Sequence, residues 1–180
     1  MHPHYFIAVD LPEEVALKID NWCRINNRES FKTWVHKEDY HLTLAFLGGI
    51  ADKILKEQLV QEVASTVRAF SPFSLTLSQL QTFGLPYSPR VLWFGVYPSK
   101  ELEQLRKQIY TVCENLGFQL DQRPFTPHIT LARKWQAKTP YHPLEHEVIK
   151  NTIFHVDGVY LFETHPLNSP KYRRVVQFEM

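Results

Sequence analysis

A four-residue pattern, His-x-Thr-Leu with an aliphatic residue at x, occurs twice in this 180-residue chain, as His41-Leu42-Thr43-Leu44 and His128-Ile129-Thr130-Leu131. The copies lie 87 residues apart, about half the chain length. In a β-strand, residues i and i+2 share a face. Each copy therefore presents an imidazole beside a hydroxyl on one face and two aliphatics on the other. A single copy is an ordinary half-buried strand. With nine histidines available, two full copies arise by chance on the order of one time in a thousand. The doubling predicts a duplicated fold in which two strands bring two imidazoles and two hydroxyls to one cleft.

The chain reads as one domain, residues 1–180, built from two pseudo-symmetric lobes with one motif each. A hydrophobic fraction of 44% with 22% charged residues is that of a globular protein. The formal net charge of +1 excludes a DNA-coating polycation but leaves room for a local anion site. Cys23 and Cys113 fall in helical stretches without a CxxC pair, so they are expected to be free structural thiols in a reducing compartment. The opening Met1-His2-Pro3-His4-Tyr5 lacks the basic start and apolar run of a signal peptide. No stretch approaches the ~18 apolar residues of a membrane span. The expectation is a cytoplasmic protein, not engaged with a membrane, and a monomer because both motifs lie in one chain.

Along the chain, Tyr5–Val9 reads as a strand, followed by a helix to about Arg24 that Asn26-Asn27 breaks. Trp34–His36 reads as a short strand. His41–Leu47 is the first motif strand, closed by Gly48-Gly49. Asp52 starts a second helix with Ile54, Leu55, Leu59, Val63 and Val67 as its buried stripe. Phe73–Phe83 alternates as a half-exposed strand, Gly84–Pro89 is a turn-rich loop, and Val91–Val96 is a strand. Ser99 caps a third helix ended by Gly117. The second motif strand, His128–Arg133, precedes a polar stretch from Gln136 to Glu147. Long strands at Thr152–Thr164 and Arg173–Phe178 close the chain. The order predicts an α+β fold, bilobal and pseudo-duplicated, with two antiparallel sheets and outer helices around a central cleft.

His41-Leu42-Thr43-Leu44-Ala45-Phe46-Leu47-Gly48 and Phe125-Thr126-Pro127-His128-Ile129-Thr130-Leu131-Ala132-Arg133 resemble the paired signature of the two-histidine phosphoesterases. The branch they are most similar to is the RNA 2′,3′-cyclic phosphodiesterases, historically called 2′-5′ RNA ligases. The resemblance extends over nearly the whole chain, including Tyr5-Phe6-Ile7-Ala8-Val9, Arg90-Val91-Leu92-Trp93-Phe94-Gly95-Val96 and Ser169-Pro170-Lys171-Tyr172. It implies hydrolysis of a 2′,3′-cyclic phosphate at an RNA end to a 2′-phosphate, with no cofactor and no metal. Several members also join RNA ends through a 2′-5′ linkage, the reverse reaction with a 5′-hydroxyl in place of water.

Opening a cyclic phosphodiester needs a base for water and an acid for the departing ribose oxygen. Histidine serves both roles near neutral pH. Thr43 and Thr130 are placed to donate to the non-bridging phosphate oxygens. The residues themselves do not say which histidine does which; the family motif implies His41 as proton donor and His128 as proton acceptor. Arg133 and Phe46 stand at odd offsets from their motif histidines, so strict alternation turns both away from the site. The family resemblance makes Arg133 a phosphate or ribose contact and Phe46 a base-stacking contact. Trp34, Tyr40 and Trp135 read as packing aromatics. His142 and His146 have helical metal-ligand spacing, but Pro140 and Pro143 break a helix there and no Cys or carboxylate cluster completes a site.

Two other functions fit the same residues. One is a phosphodiesterase acting on a small cyclic or 2′-5′-linked nucleotide. The other is a non-catalytic RNA- or nucleotide-binding module, against which four intact motif residues argue, since binding alone does not require two titrating groups.

Overall fold

A computed structural model describes residues 3–26, 30–145, 147 and 149–180. Among the described residues, nine strands and three α-helices run in the order β1 (His4–Asp10), α1 (Glu13–Ile25), β2 (Phe31–Trp34), β3 (His41–Gly49), α2 (Lys53–Val67), β4 (Phe73–Leu85), β5 (Ser88–Val96), α3 (Lys100–Asn115), β6 (His128–Trp135), β7 (Ile153–Val156), β8 (Gly158–Thr164) and β9 (Tyr172–Glu179). Every strand pairing is antiparallel. The expected α+β fold with antiparallel strands and outer helices is the one observed.

The strand order is β7-β4-β5-β6-β3-β1-β8-β9, with β2 added beside β6. The motif strands β6 and β3 occupy its middle, flanked by β5 and β1. Each motif strand follows a strand and a helix, so β1-α1-β3 repeats as β5-α3-β6. After the first repeat β4 crosses to join β5; after the second, β7 stays in the same half beside β4 and β8 crosses to join β1. The two half-sheets are joined at one pair, Leu42↔Ile129, into one continuous order. The motif strands therefore meet side by side at the seam and diverge from it.

The helices cover one face of the sheet. Val15 and Ile19 of α1, Leu59 and Val63 of α2 and Leu102, Leu105 and Ile109 of α3 pack with Ile7, Val9, Leu42, Leu44, Ile129 and Leu131 into one core. Burying those aliphatic faces is the main stabilising term. It leaves the opposite face of the sheet, which carries both His-x-Thr pairs, free of helices. Asp52 caps α2 by accepting from the amides of Ile54 and Leu55, and Ser99 caps α3 by accepting from Leu102 N, as their sequence positions suggest.

Four sequence expectations change. The short strand is Phe31–Trp34, paired with β6, because His36 instead accepts from Glu38 N and opens a 3-10 turn, Lys37–Asp39. Ile54 is 67% exposed, on the solvent side of the first turn of α2, and does not belong to that helix's buried stripe. Gly84–Pro89 is no loop but the end of a tight hairpin in which Leu85 pairs with Ser88. The segment Thr152–Thr164 is two strands: β7 pairs with β4 of one half and β8 with β1 of the other. The chain changes partners at Asp157-Gly158, where a Cβ on Gly158 would fall 2.3 Å from the Phe178 carbonyl oxygen. Asn27 lies outside the described residues; Asn26 closes α1. Cys23 and Cys113 are both buried thiols outside any disulfide, and Cys23 Sγ accepts from the Tyr40 hydroxyl. No described helix is long and apolar enough to cross a membrane.

Candidate active site

Leu42 and Ile129, paired across the seam, are both fully buried on the helix side. Their neighbours in sequence therefore project from the open face. Continuing that antiparallel register sets His41 towards Thr130 and Thr43 towards His128, a local two-fold arrangement. The four motif residues are half-buried, and neither threonine hydroxyl has a partner among the described residues.

Both imidazoles are tethered in the same way. His41 Nδ1 lies 2.7 Å from the Asp39 carbonyl oxygen, and His128 Nδ1 lies 2.7 Å from the Thr126 carbonyl oxygen. A carbonyl only accepts, so Nδ1 is the protonated nitrogen of each neutral ring. Nε2 is then left on both rings with a lone pair free to take, or having taken to give, a proton. Aromatic walls fix the rings. Phe6, Tyr172 and Phe162 surround His41 at centroid distances of 4.8, 5.1 and 5.8 Å. Phe83 and Trp93 flank His128 at 5.2 and 5.7 Å.

These apolar surroundings disfavour the imidazolium. Burial lowers the His41 pKa to about 4, against the raising effects of its hydrogen bond to the Asp39 carbonyl and of the Asp39 charge. Burial also lowers the His128 pKa, with its bond to the Thr126 carbonyl acting the other way. The charge of Arg133 depresses both. Both shifts favour neutral imidazoles, and an anion entering between them would favour protonation of one.

Arg133 and Phe46 do not follow strict alternation. Along β6, Ala132 pairs with Leu92 and Thr130 with Trp93, leaving Leu131 as an extra residue. Along β3, Ala45 pairs with Ile7 and Thr43 with Ala8, leaving Leu44 as the extra residue. Each is a β-bulge at the fourth motif position, and a bulge reverses the facing of the residues beyond it. Leu44-Ala45 and Leu131-Ala132 are both buried pairs. The next residue in each strand, Phe46 and Arg133, returns to the histidine side. Phe46 is 51% exposed and not a core residue; it pairs across the strand with Phe6, which touches His41. Arg133 is exposed, and its charge reaches His41, His128 and Tyr172.

Tyr40 is a core residue, and Trp135 packs half-buried against Phe31 and Tyr141; Trp34 packs on Phe31. Among the described residues no cluster of three or more His, Cys, Asp or Glu is placed to hold a metal; His146 lies outside them. The residues sequence reasoning misses are the aromatic walls and the tethering residues Asp39 and Thr126. The equal offset of the two tethers, two residues before each histidine, is a signal the sequence does carry.

Duplicated β-α-β units that converge on two tethered imidazoles define a two-histidine class of fold and site. Within it, the chain belongs to the 2′-5′ RNA ligase superfamily, whose sequence model matches residues 11–166. Over 98% of its length it is 41% identical to an RNA 2′,3′-cyclic phosphodiesterase of Geobacillus stearothermophilus, of which it spans 57%. It is 35% identical to the RNA 2′,3′-cyclic phosphodiesterase of Bacillus subtilis, over 100% of this chain and 98% of that one. Among solved structures, Escherichia coli LigT complexed with 3′-AMP superposes with a TM-score of 0.83 at 26% identity, over 99% of each chain.

Proposed function

We propose that this chain hydrolyses the 2′,3′-cyclic phosphate at RNA ends to a 2′-phosphate without a metal. The observation that carries it is the pair of matched Nδ1 tethers, which leave two Nε2 atoms free on adjoining motif strands. His128 Nε2 accepts a proton from water as its oxygen attacks phosphorus. The P–O3′ bond breaks, and His41, protonated at Nε2, gives its proton to O3′. Attacking and leaving oxygens lie on opposite sides of phosphorus, which one histidine cannot serve alone. Thr43 and Thr130 donate to the non-bridging oxygens as charge builds there. Arg133 offers a cation to the phosphate or ribose, and Phe46 a ring for base stacking.

Run backwards, with a 5′-hydroxyl taking the place of water, the same groups would form a 2′-5′ linkage. Residues 1–180 act as one domain of two lobes, as a cytoplasmic monomer. The 41% identity to a curated RNA 2′,3′-cyclic phosphodiesterase supports this function.

The test is incubation in excess EDTA with nucleoside 2′,3′-cyclic phosphates and with short RNA bearing that end, alongside His41→Ala and His128→Ala. A 2′-phosphate product lost in both variants is expected. No turnover on any substrate by the intact protein would move the assignment to a small 2′-5′-linked nucleotide or to a binding module.

A further inference from the structure

Among the described residues the buried carboxylates are Asp20, Asp39 and Glu163. Asp20 pairs with Arg24 on its own helix, and Asp39 adjoins His41. Glu163, 6% exposed, has no part in the chemistry proposed above. A buried charge persists only where partners offset its lost hydration. The Tyr5 hydroxyl donates to Glu163 Oε2 at 2.6 Å, Arg173 Nη2 donates to Oε1 at 2.8 Å, and His165 Nε2 lies 2.8 Å from Oε1. Lys56 Nζ of α2 donates to the Tyr5 hydroxyl at 3.1 Å, which places the network on the helix side of the sheet.

The partners fall in register across three strands. Tyr5 of β1 pairs with Glu163 of β8, and Glu163 pairs with Arg173 of β9. Each has as its chain neighbour a residue on the opposite face: Phe6 beside Tyr5, Phe162 beside Glu163, and Tyr172 beside Arg173. Those three rings are the wall of His41. Phe6 stacks on Phe162 at 5.1 Å and meets Tyr172 edge-on at 5.1 Å. The polar row and the aromatic wall are therefore two faces of the same stretch of β1, β8 and β9. His165 adds a further hold. Its amide donates to the Lys171 carbonyl at 2.6 Å and closes the β8–β9 loop just before Tyr172.

We propose that Glu163 is a positioning residue for His41: by tying β1, β8 and β9 together on the helix side, it holds Phe6, Phe162 and Tyr172 against the imidazole on the open side. This rests on the proposed function, in which His41 is the proton donor. Glu163 acts through packing, since the charges that bear on His41 are those of Asp39, His128 and Arg133. The two routes differ in sign. Removing a carboxylate that acted directly would lower the His41 pKa, whereas loosening a wall that excludes water raises it.

The test uses Glu163→Gln and Tyr5→Phe. Ile109→Val, a core truncation in α3 outside the clamp, controls for general loss of stability. His41 and His128 are titrated by NMR, and kcat and KM are measured across pH on a nucleoside 2′,3′-cyclic phosphate. In Glu163→Gln the His41 pKa is expected to rise from about 4 towards 6.5 while that of His128 stays in place. The proton donor loses its alignment, so kcat falls roughly tenfold with KM within about twofold. Tyr5→Phe, which removes one hydrogen bond and keeps the carboxylate, gives a smaller shift in the same direction and adds nothing in the Glu163→Gln background. Ile109→Val leaves both titrations unchanged.

An unchanged or lowered His41 pKa in Glu163→Gln, equal movement of both histidines, or the same shift in Ile109→Val would overturn the assignment. Should Glu163→Gln fail to fold, Tyr5→Phe decides by the same criteria. The titrations need no turnover, which separates the two proposals. A His41 shift in a protein that turns over no cyclic phosphate would keep the clamp and sink the phosphodiesterase. Normal turnover with no shift would do the reverse.

Discussion

The backbone carbonyl of Asp39 accepts from His41 Nδ1 at 2.7 Å, while the carboxylate of the same residue, 4% exposed, accepts the amides of Lys171 and Tyr172 at 2.9–3.0 Å. Tyr172 in turn packs edge-on to His41 at 5.1 Å. One residue thus orients the imidazole, anchors the chain that walls it in, and places a negative charge nearby. The matching tether of His128 comes from Thr126, whose side chain has no charge. Asp39 therefore distinguishes two otherwise similar histidines, and its charge favours the protonated form at His41, the form a proton donor requires.

Asp39→Asn removes that charge with little change of shape. The His41 pKa, already depressed to about 4, is expected to fall further, so the limb of the rate profile governed by His41 moves to lower pH while the limb governed by His128 stays. Asp39→Ala also leaves the Lys171 and Tyr172 amides without their acceptor, at a cost of about 1–3 kcal/mol in thermal or denaturant unfolding. A rate profile in Asp39→Asn that superposes on that of the unmodified protein would refute the electrostatic role.

The pH dependence of the unmodified protein follows from the same shifts. The proposed reaction needs one imidazole protonated and one neutral. Both pKa values lie below the ordinary 6.5, with His41 near 4. As pH falls from 7, the singly protonated site becomes more populated and kcat/KM rises. Once both rings are charged the rate falls. The bell is therefore expected to peak on the acid side of 6.5, with apparent values that belong to the coupled pair. Bound phosphate stabilises an imidazolium, so the kcat profile should sit at higher pH than that of kcat/KM. A kcat/KM maximum above pH 7 would show that the rings are less shielded than their aromatic walls imply.

Much of this site is legible in the sequence because its signals are local. Period-two alternation puts His41 with Thr43 and His128 with Thr130 on one face, and the doubling implies that they meet. The orientation of Phe46 and Arg133 is not legible. It depends on bulges at Leu44 and Leu131, which come from how β3 and β6 pair with β1 and β5, a long-range choice. The aromatic walls are hidden for a similar reason: Phe6 comes from β1 at one end of the chain, and Phe162 and Tyr172 from the paired strands β8 and β9 at the other. The division of Thr152–Thr164 into two strands is marked only by Gly158, whose need to lack a Cβ becomes evident once Phe178 lies beside it.

Thr43 and Thr130 occupy equivalent positions, and their hydroxyls have no partner among the described residues, so removing either should weaken the transition state more than the ground state. Thr43→Val and Thr130→Val, which keep the β-branched shape, are expected to lower kcat roughly 10²-fold with little change in KM. Thr→Ser at the same positions should restore most of the rate. Steady-state kinetics on a nucleoside 2′,3′-cyclic phosphate would check this. A valine variant that raised KM and left kcat intact would reassign the hydroxyls to ground-state binding.

Arg133 carries two separable effects, a positive charge that lowers the pKa of both histidines and a guanidinium fork suited to a phosphate. Arg133→Gln removes both. The pKa values of His41 and His128 should rise towards 6.5, which shifts the whole bell to higher pH, and KM should increase because the anion loses its cation. Arg133→Lys keeps the charge and loses the fork, so its bell should remain in place while KM still rises. Histidine titrations followed by NMR in the two variants, beside their rate profiles, would separate the effects. If Arg133→Lys moved the bell as far as Arg133→Gln, the depression of the histidines would stem from the geometry that Arg133 imposes on the end of β6, and its charge would have no direct part in it.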